Sequence, residues 1–580
     1  MKTTRHFGRK TIATLGISAM IASGFAFTSF SPLSEAEQLA ARVNDQAGGV
    51  TSIMSVKADT PDMIELLSDQ FDLAEFRDGD WFHIVTYPGD IERLTALGFH
   101  EMEVVIADLI EFDIAQRLLE NELAGKKGPT DLQPGERQEG YRTWADFDAD
   151  VRQLAADNPD FVRLMELPNQ THEGRTVVGL QIAGNPDAAS TDGRPSSVLM
   201  GLHHAREWPS AELTLMFAYD MIESYNNGDK EVVDTINNVN FLVIPVVNPD
   251  GYVRSRETVS DWVVPLPGAA AAAGEFAYHR KNMRPHASAD GQGLIGQGVD
   301  PNRNYPYKWG GPGTSTSTGS ATYHGPAPAS EPEIENILDL LRTNHVTTLI
   351  TNHTYTELVL RPFGDSMRDT PDEEIVRGHA DAMAAINGYA SIKGLELYAT
   401  TGTTDDWVYG VTGAPSYTFE IGPTGVGGQQ LATAPGTCGG FHGVYQLCVG
   451  DFYALNRDAY MLNLKQALNP AWHSQLNGTA PAGTVLNLVK DVEIPLSVMV
   501  DGDDYMSEHL EAEMIVGADG TFNWHVNPSP MPQTLLDIED GFLRPGDEEK
   551  YTLTATAPDG TVTVIKDILV KRGTVHDFAF

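Results

Sequence analysis

The chain has 580 residues, 41% of them hydrophobic, which is enough for two to four folding units with a sizeable core. Its 80 Asp and Glu against 39 Lys and Arg give a formal charge of -41, which repels nucleic acid and anionic membrane surfaces and argues against both as partners. The acid is dispersed rather than gathered in a tail, which suits a heavily solvated surface such as a saline medium demands.

At the N-terminus Lys2, Arg5, Arg9 and Lys10 precede an apolar stretch over residues 11–30 that contains several small residues. This order predicts an export signal over 1–36, hence a secreted or periplasmic protein with no stable membrane anchor once the signal is removed. A single membrane anchor is the alternative, and the glycines and hydroxyl residues in the stretch speak against it. With only two cysteines the fold is not disulfide-built, but in an exported chain Cys438 and Cys448 are candidates for one local bond.

Residues 37–137 mix strand-like runs (81–87, 102–106) with helix-like ones (91–97, 114–123), predicting a small α+β unit. The polar, basic stretch 125–130 that follows suits a processing protease, so the unit reads as a propeptide, with a permanent N-terminal domain as the alternative. Over 138–468 apolar runs at 197–202, 239–247, 347–350 and 416–421 alternate with amphipathic stretches at 211–225, 331–342 and 451–467. That alternation predicts an α/β domain, a mixed sheet flanked by helices on both faces. A Pro-, Ala- and Gly-rich segment at 263–274 reads as an inserted surface loop. From 469 to 580 short β-favouring runs separated by Gly, Asp and Pro turns predict a small β-sandwich-like accessory unit.

The chemistry is carried by strand-end motifs. The run ending at Leu202 is followed by His203-His204-Ala205-Arg206-Glu207, and His-x-x-Glu lets an imidazole and a carboxylate converge from one turn. In an open α/β sheet the ligand crevice lies at strand carboxyl ends. A third donor, His353, closes another strand-like run far downstream. Two near ligands and one distant one, with a position left open for water, is the arrangement of catalytic zinc.

Taken with the motifs Tyr278-His279-Arg280-Lys281-Asn282, Gly298-Val299-Asp300-Pro301-Asn302-Arg303-Asn304, Thr404-Asp405-Asp406-Trp407 and Ser416-Tyr417-Thr418-Phe419-Glu420, the chain resembles the metallocarboxypeptidase family that includes carboxypeptidases A, B and T. The resemblance runs from about residue 140 to 468. It implies one Zn2+ per chain held by His204, Glu207 and His353, with His204 rather than His203 in the ligand register. It implies Glu420 as general base and Arg280 as the group that polarises the scissile carbonyl. It further implies Asn302, Arg303 and the mobile Tyr398 as the grip on a peptide's free C-terminal carboxylate, and Arg206 as an auxiliary anchor. Asp405 falls where the family reads the base of the side-chain pocket, and an acid there implies C-terminal Lys or Arg as the residue removed, with broad specificity as the alternative if the side chain turns outward or the pocket is large. The partners so implied are peptide and protein C-termini. A cell-wall amidase or endopeptidase on the same scaffold, and a binding protein that grips peptide ends without turnover, are the alternatives.

Overall fold

The computed structural model describes residues 51–127, 132–257, 278–286, 298–422, 438, 441–500, 502–541 and 548–580. The expected export signal, the tail of the basic stretch from residue 128 and the loop at 263–274 lie outside the described residues. Among the described residues no helix is long and apolar enough to cross a membrane.

The N-terminal unit pairs β1 (Ser52–Lys57), β2 (Asp72–Asp78), β3 (Trp81–Thr86) and β4 (Met102–Ile106) in the antiparallel order β2-β3-β1-β4. Helices α1 (Pro61–Gln70), α2 (Asp90–Ala96) and α3 (Leu109–Leu123) accompany the sheet. Thr60 caps α1 by accepting from Met63 N, with Pro61 as first helical residue. Sequence reading anticipates β3, β4, α2 and α3, and β2 escapes it because Asp72, Glu75 and Arg77 interrupt its apolar pattern. Those charges face the neighbouring unit, and a bulge between Leu73 and Arg77 places Glu75 at φ +52, in the left-handed region.

The central unit is built on an eight-stranded sheet. In chain order it comprises α4 (Trp144–Asp157), β5 (Val162–Gln170), β6 (Thr176–Ile182), β7 (Ser196–Gly201), α5 (Trp208–Asn226), α6 (Lys230–Asn238) and β8 (Asn240–Ile244). After these come α7 (Pro332–Thr343), β9 (Val346–His353), β10 (Leu358–Arg361), α8 (Glu373–Asn387), β11 (Ala390–Lys393), β12 (Ser416–Glu420) and α9 (Tyr445–Gln466). The strand order is β11-β10-β12-β9-β7-β8-β6-β5, with β12, β9, β7 and β8 parallel, β10 antiparallel to β12 and parallel to the edge strand β11, and β6 and β5 added antiparallel on the other side. The four parallel strands are buried along their length, as strands covered on both faces must be. Because β7 is followed by β8 on one side and later by β9 on the other, the chain reverses direction across the sheet between β7 and β9. Ligand crevices open outside the carboxyl ends of strands at such a point.

The C-terminal unit consists of β13 (Ser474–Thr479), β14 (Val485–Val500), β15 (Asp503–Ile515), β16 (Thr521–Val526), α10 (Pro532–Glu539), β17 (Tyr551–Thr556), β18 (Val562–Ile568) and β19 (Val575–Ala579). Sheets β16-β13-β19 and β15-β14-β17-β18 share a core of Leu476, Leu486, Leu488, Trp524 and Leu553, the sandwich the turn spacing predicts. The β14–β15 hairpin is far longer than the short apolar runs suggest, because charged residues alternate along both strands. Cys438 and Cys448 are joined in a disulfide, as the export reading expects.

Candidate active site

Strand register assembles the site. His353 ends β9 directly opposite Glu420 at the end of the parallel β12, and Asn352 stands opposite Gly201 at the end of β7. The turn after Gly201 delivers His203 and His204, and Glu207 stands at the N-cap position of α5 with its side chain turned away from the helix end. Three neighbouring strand ends therefore present two imidazoles and two carboxylates to one crevice.

The first three donors converge on a point. His204 Nδ1 lies 2.7 Å from Glu207 Oε1 and 3.1 Å from His353 Nδ1, and His353 Nδ1 lies 2.9 Å from Glu207 Oε2. All three residues are buried, and their ligand atoms lie within 4.8 Å of one another. Burial opposes ionisation of Glu207, but the His204 and His353 imidazoles outweigh it and hold the carboxyl far below its ordinary range. Asp300 Oδ1 accepts from His204 Nε2 at 3.2 Å, which fixes the tautomer and leaves the Nδ1 lone pair facing the other donors. Two imidazole nitrogens and a carboxylate so oriented, with coordination positions to spare, fit zinc. His203 faces elsewhere: Nε2 meets Tyr305 Oη at 2.9 Å and Thr404 Oγ1 at 3.1 Å, and Nδ1 meets Thr351 Oγ1 at 3.2 Å.

A cavity beside these donors is lined by Asn302, Arg303, Tyr398, Asp405 and Glu420 together with His204 and His353. Glu420 is buried, and its Oε2 has no hydrogen-bond partner. Burial, then the Glu75 and Glu207 carboxylates, push its carboxyl well above the ordinary range. Asn302 Oδ1 accepts from Thr404 N and Thr404 Oγ1, both at 3.0 Å, which leaves the amide nitrogen as the free donor. Arg303 is held through Nε to Gly313 O at 3.0 Å. Of the two adjacent acids, Asp405 lines the cavity whereas the Asp406 carboxylate accepts from Gly364 N at 3.0 and 3.2 Å. Arg280 donates from Nε to Asp300 Oδ2 at 3.0 Å, so one buried acid orients both His204 and Arg280.

Comparison with known proteins identifies the family. The profile of the Peptidase_M14 family, zinc carboxypeptidase, matches residues 148–435. The chain belongs to the zinc carboxypeptidase family. It is 29% identical over 294 residues to carboxypeptidase A2 of Rattus norvegicus, covering 49% of this chain and 63% of that protein. It is 27% identical over 358 residues to carboxypeptidase B of the same species, covering 59% and 79%. Among solved structures, the carboxypeptidase A from Helicoverpa armigera superposes with a TM-score of 0.58 at 22% identity, covering 72% of this chain and 98% of that one. The fold of a metallocarboxypeptidase is thus shared, and the first of these relatives is spanned over less than two thirds of its length.

In this zinc carboxypeptidase family member the N-terminal unit reaches into the crevice. Asp72 grips Arg206 in a fork, at 2.6 Å to Nη1 and 2.8 Å to Nη2, and Arg206 is fully buried. Arg206 therefore lies beneath β2 and does not line the cavity. Glu75 pairs with Arg280 Nη1 at 2.5 Å and accepts from the hydroxyl of Tyr398. Ile53, Ala74 and Val85 pack beside these pairs on Tyr278, Tyr355 and Phe441. Sequence reasoning assigned no role to Asp300, although it stands two residues before Asn302 in a motif already singled out. Nothing local marks Asp72 or Glu75, whose partners are distant in sequence.

Proposed function

We propose that the protein is exported as an inactive precursor and, after loss of residues 37–137, acts as a carboxypeptidase that removes C-terminal Lys and Arg. The catalytic unit is residues 138–468, followed by a C-terminal unit over 469–580. One observation carries the reading: the groups suited to a free carboxylate (Asn302, Arg303, Tyr398) and to a cationic side chain (Asp405) share a single cavity with the His204 and His353 donors and Glu420.

His204, Glu207 and His353 would hold the zinc ion, which supplies Lewis-acid polarisation of the scissile carbonyl and of the attacking water. Arg303 and the Asn302 amide nitrogen bind the substrate's terminal carboxylate, a planar anion that a guanidinium fork matches. Tyr398 closes over it. Asp405 at the cavity wall pairs with the side-chain cation of a terminal Lys or Arg and disfavours apolar residues. Glu420, buried beside the zinc donors with its Oε2 unpartnered, takes the proton from the attacking water and passes it to the leaving amine nitrogen. The Arg280 guanidinium stabilises the oxyanion. Asp300 keeps His204 and Arg280 in place throughout.

The precursor reading follows from Glu75. Its carboxylate occupies Arg280 and Tyr398 as a substrate's negative oxygens would, and Asp72 sequesters Arg206. Cleavage near Lys126 and Lys127 would free all three.

The test treats the exported protein with trypsin and offers it a peptide ending in Arg, the same peptide ending in Leu, and the C-terminal amide of the first. Mass spectrometry is expected to show loss of Arg from the free acid, slower loss of Leu and no reaction of the amide. Equal cleavage of acid and amide refutes the exopeptidase reading. A preference for Leu that persists in Asp405→Ala refutes the basic specificity.

A further inference from the structure

The β14–β15 hairpin ends against the catalytic unit in an unusual way. Its ladder runs from Val485 opposite Ile515 to Pro495 opposite Tyr505, breaks, and resumes only at Val500 opposite Asp503. Residues 496–499 thus stand opposite Asp504 alone, a bulge that forfeits ladder bonds. The lost bonds are remade with another segment. Pro495 O accepts from Lys308 N at 2.7 Å, Ser497 N donates to Trp309 O at 3.0 Å, and Ser497 Oγ donates to Lys308 O at 2.8 Å.

The segment 308–313 that receives the hairpin is the back wall of the carboxylate grip. Gly313 O accepts from Arg303 Nε at 3.0 Å, and Pro312 O accepts from Thr401 Oγ1 at 3.1 Å, close after Tyr398 in the chain. Contact along the wall is tight. Gly310 has φ +78, and a Cβ there would meet Val498 Cγ2 at 2.5 Å; Gly313 has φ +74, and a Cβ there would strike the Ala399 carbonyl. The hairpin's lower part is fixed as well. Val492 and Ile494 are buried in the core shared with the central sheet, and Arg342 of α7 forks onto Glu508 of β15 at 2.7 and 2.8 Å.

We propose that the β14–β15 hairpin is a positioning element of the carboxylate grip: Ser497 and Val498 hold the 308–313 wall, and through it Arg303 and the segment carrying Tyr398, where a peptide's terminal carboxylate binds. The inference rests on the carboxypeptidase reading and extends it to a unit that sequence reading left without a role. A group that sets ground-state and transition-state binding alike shifts KM and leaves kcat in place.

The experiment uses the full-length exported protein after tryptic activation. Ser497→Pro removes both donors, Val498→Asp disrupts the packing on Gly310, and Ser497→Ala removes the hydroxyl alone. For peptide hydrolysis Ser497→Pro and Val498→Asp are expected to raise KM about tenfold with kcat within about twofold, the signature of lost uniform binding. The inhibition constant of the free amino acid released should rise by the same factor, with zinc content unchanged. Ser497→Ala, which leaves the backbone intact, is expected to raise KM about two- to threefold and supplies the answer if the other two variants fail to fold. Unchanged KM in the folded variants, or a fall in kcat and zinc content with KM constant, overturns the proposal. A wild-type protein that releases no C-terminal residue overturns the carboxypeptidase reading instead, a distinct result.

Discussion

The N- and C-terminal units both pack on the central unit, but through different chemistry. The N-terminal unit meets it with side-chain charges, Asp72 on Arg206 and Glu75 on Arg280, backed by a small apolar cluster. The C-terminal unit meets it with backbone hydrogen bonds from residues 495–497 and with Val492 and Ile494 set into the main core. Buried ion pairs return little net free energy, because desolvation consumes much of the attraction. Apolar burial and backbone pairing return more and cannot be replaced by water without cost. On the proposed precursor reading, the N-terminal unit is the one that leaves and the C-terminal unit the one that stays.

The largest expected effect sets the baseline for judging both units. Glu420→Gln in the trypsin-activated protein should retain zinc and lose roughly two to four orders of magnitude in kcat, measured with an Arg-terminated peptide, because a general base is removed. The next effect tests the detachable side. Uncleaved Glu75→Gln should hydrolyse peptide about ten- to a hundredfold faster than uncleaved wild type, since breaking a buried pair releases the partner guanidinium. If the uncleaved variant is as silent as wild type, charge does not hold the N-terminal unit and the contrast fails.

A third effect falls on the joint of the C-terminal unit. His473 is buried there and His345 and His525 are half-buried, with His473 Nε2 and His525 Nδ1 2.6 Å apart. Burial lowers all three from an ordinary value of 6.5, His345 and His525 to about 4 and His473 to about 3, the last helped by its His525 neighbour. Between pH 6.5 and 4 the unfolded chain therefore binds more protons than the folded one. Stability is full above the unfolded value and is lost as pH falls toward the folded ones. Thermal melts across this window should show Tm falling on acidification, and His525→Gln should flatten the slope.

How far the sequence discloses this molecule depends on the range of the interactions involved. His204 and Glu207 share one turn, and Asn302 and Arg303 share one motif, so their roles can be proposed from local order. The parallel sheet was legible because its strands are continuous apolar runs, as two-sided burial requires. Strand β2 was not, because Asp72, Glu75 and Arg77 answer to partners 134 to 320 positions away. The length of the β14–β15 hairpin was not, because charged residues that pair across the hairpin itself, such as Asp491 with His509, break its apolar pattern. Asp300 lay between these cases: its motif was visible, but its contacts with His204 and Arg280 exist only once the turn after β7 and residues 278–286 are folded together.

The smallest expected effect separates holding the C-terminal unit from holding the pocket. Arg342 and Glu508 form a fork across the joint, with side chains 15% and 2% exposed. Arg342→Ala leaves the Glu508 carboxylate buried without its partner, at a cost of about 2 kcal/mol, which lowers Tm by a few degrees in a protein of this size. Combining it with Glu508→Gln removes the stranded charge and should recover part of that loss, the non-additivity expected of residues in contact. Because the pair lies away from residues 495–498, KM should stay at the wild-type value in both proteins while Tm moves. A rise in KM that tracks the loss of Tm would mean that the pocket senses the whole joint rather than the hairpin tip, and would shift the positioning role from Ser497 and Val498 to the C-terminal unit as a body.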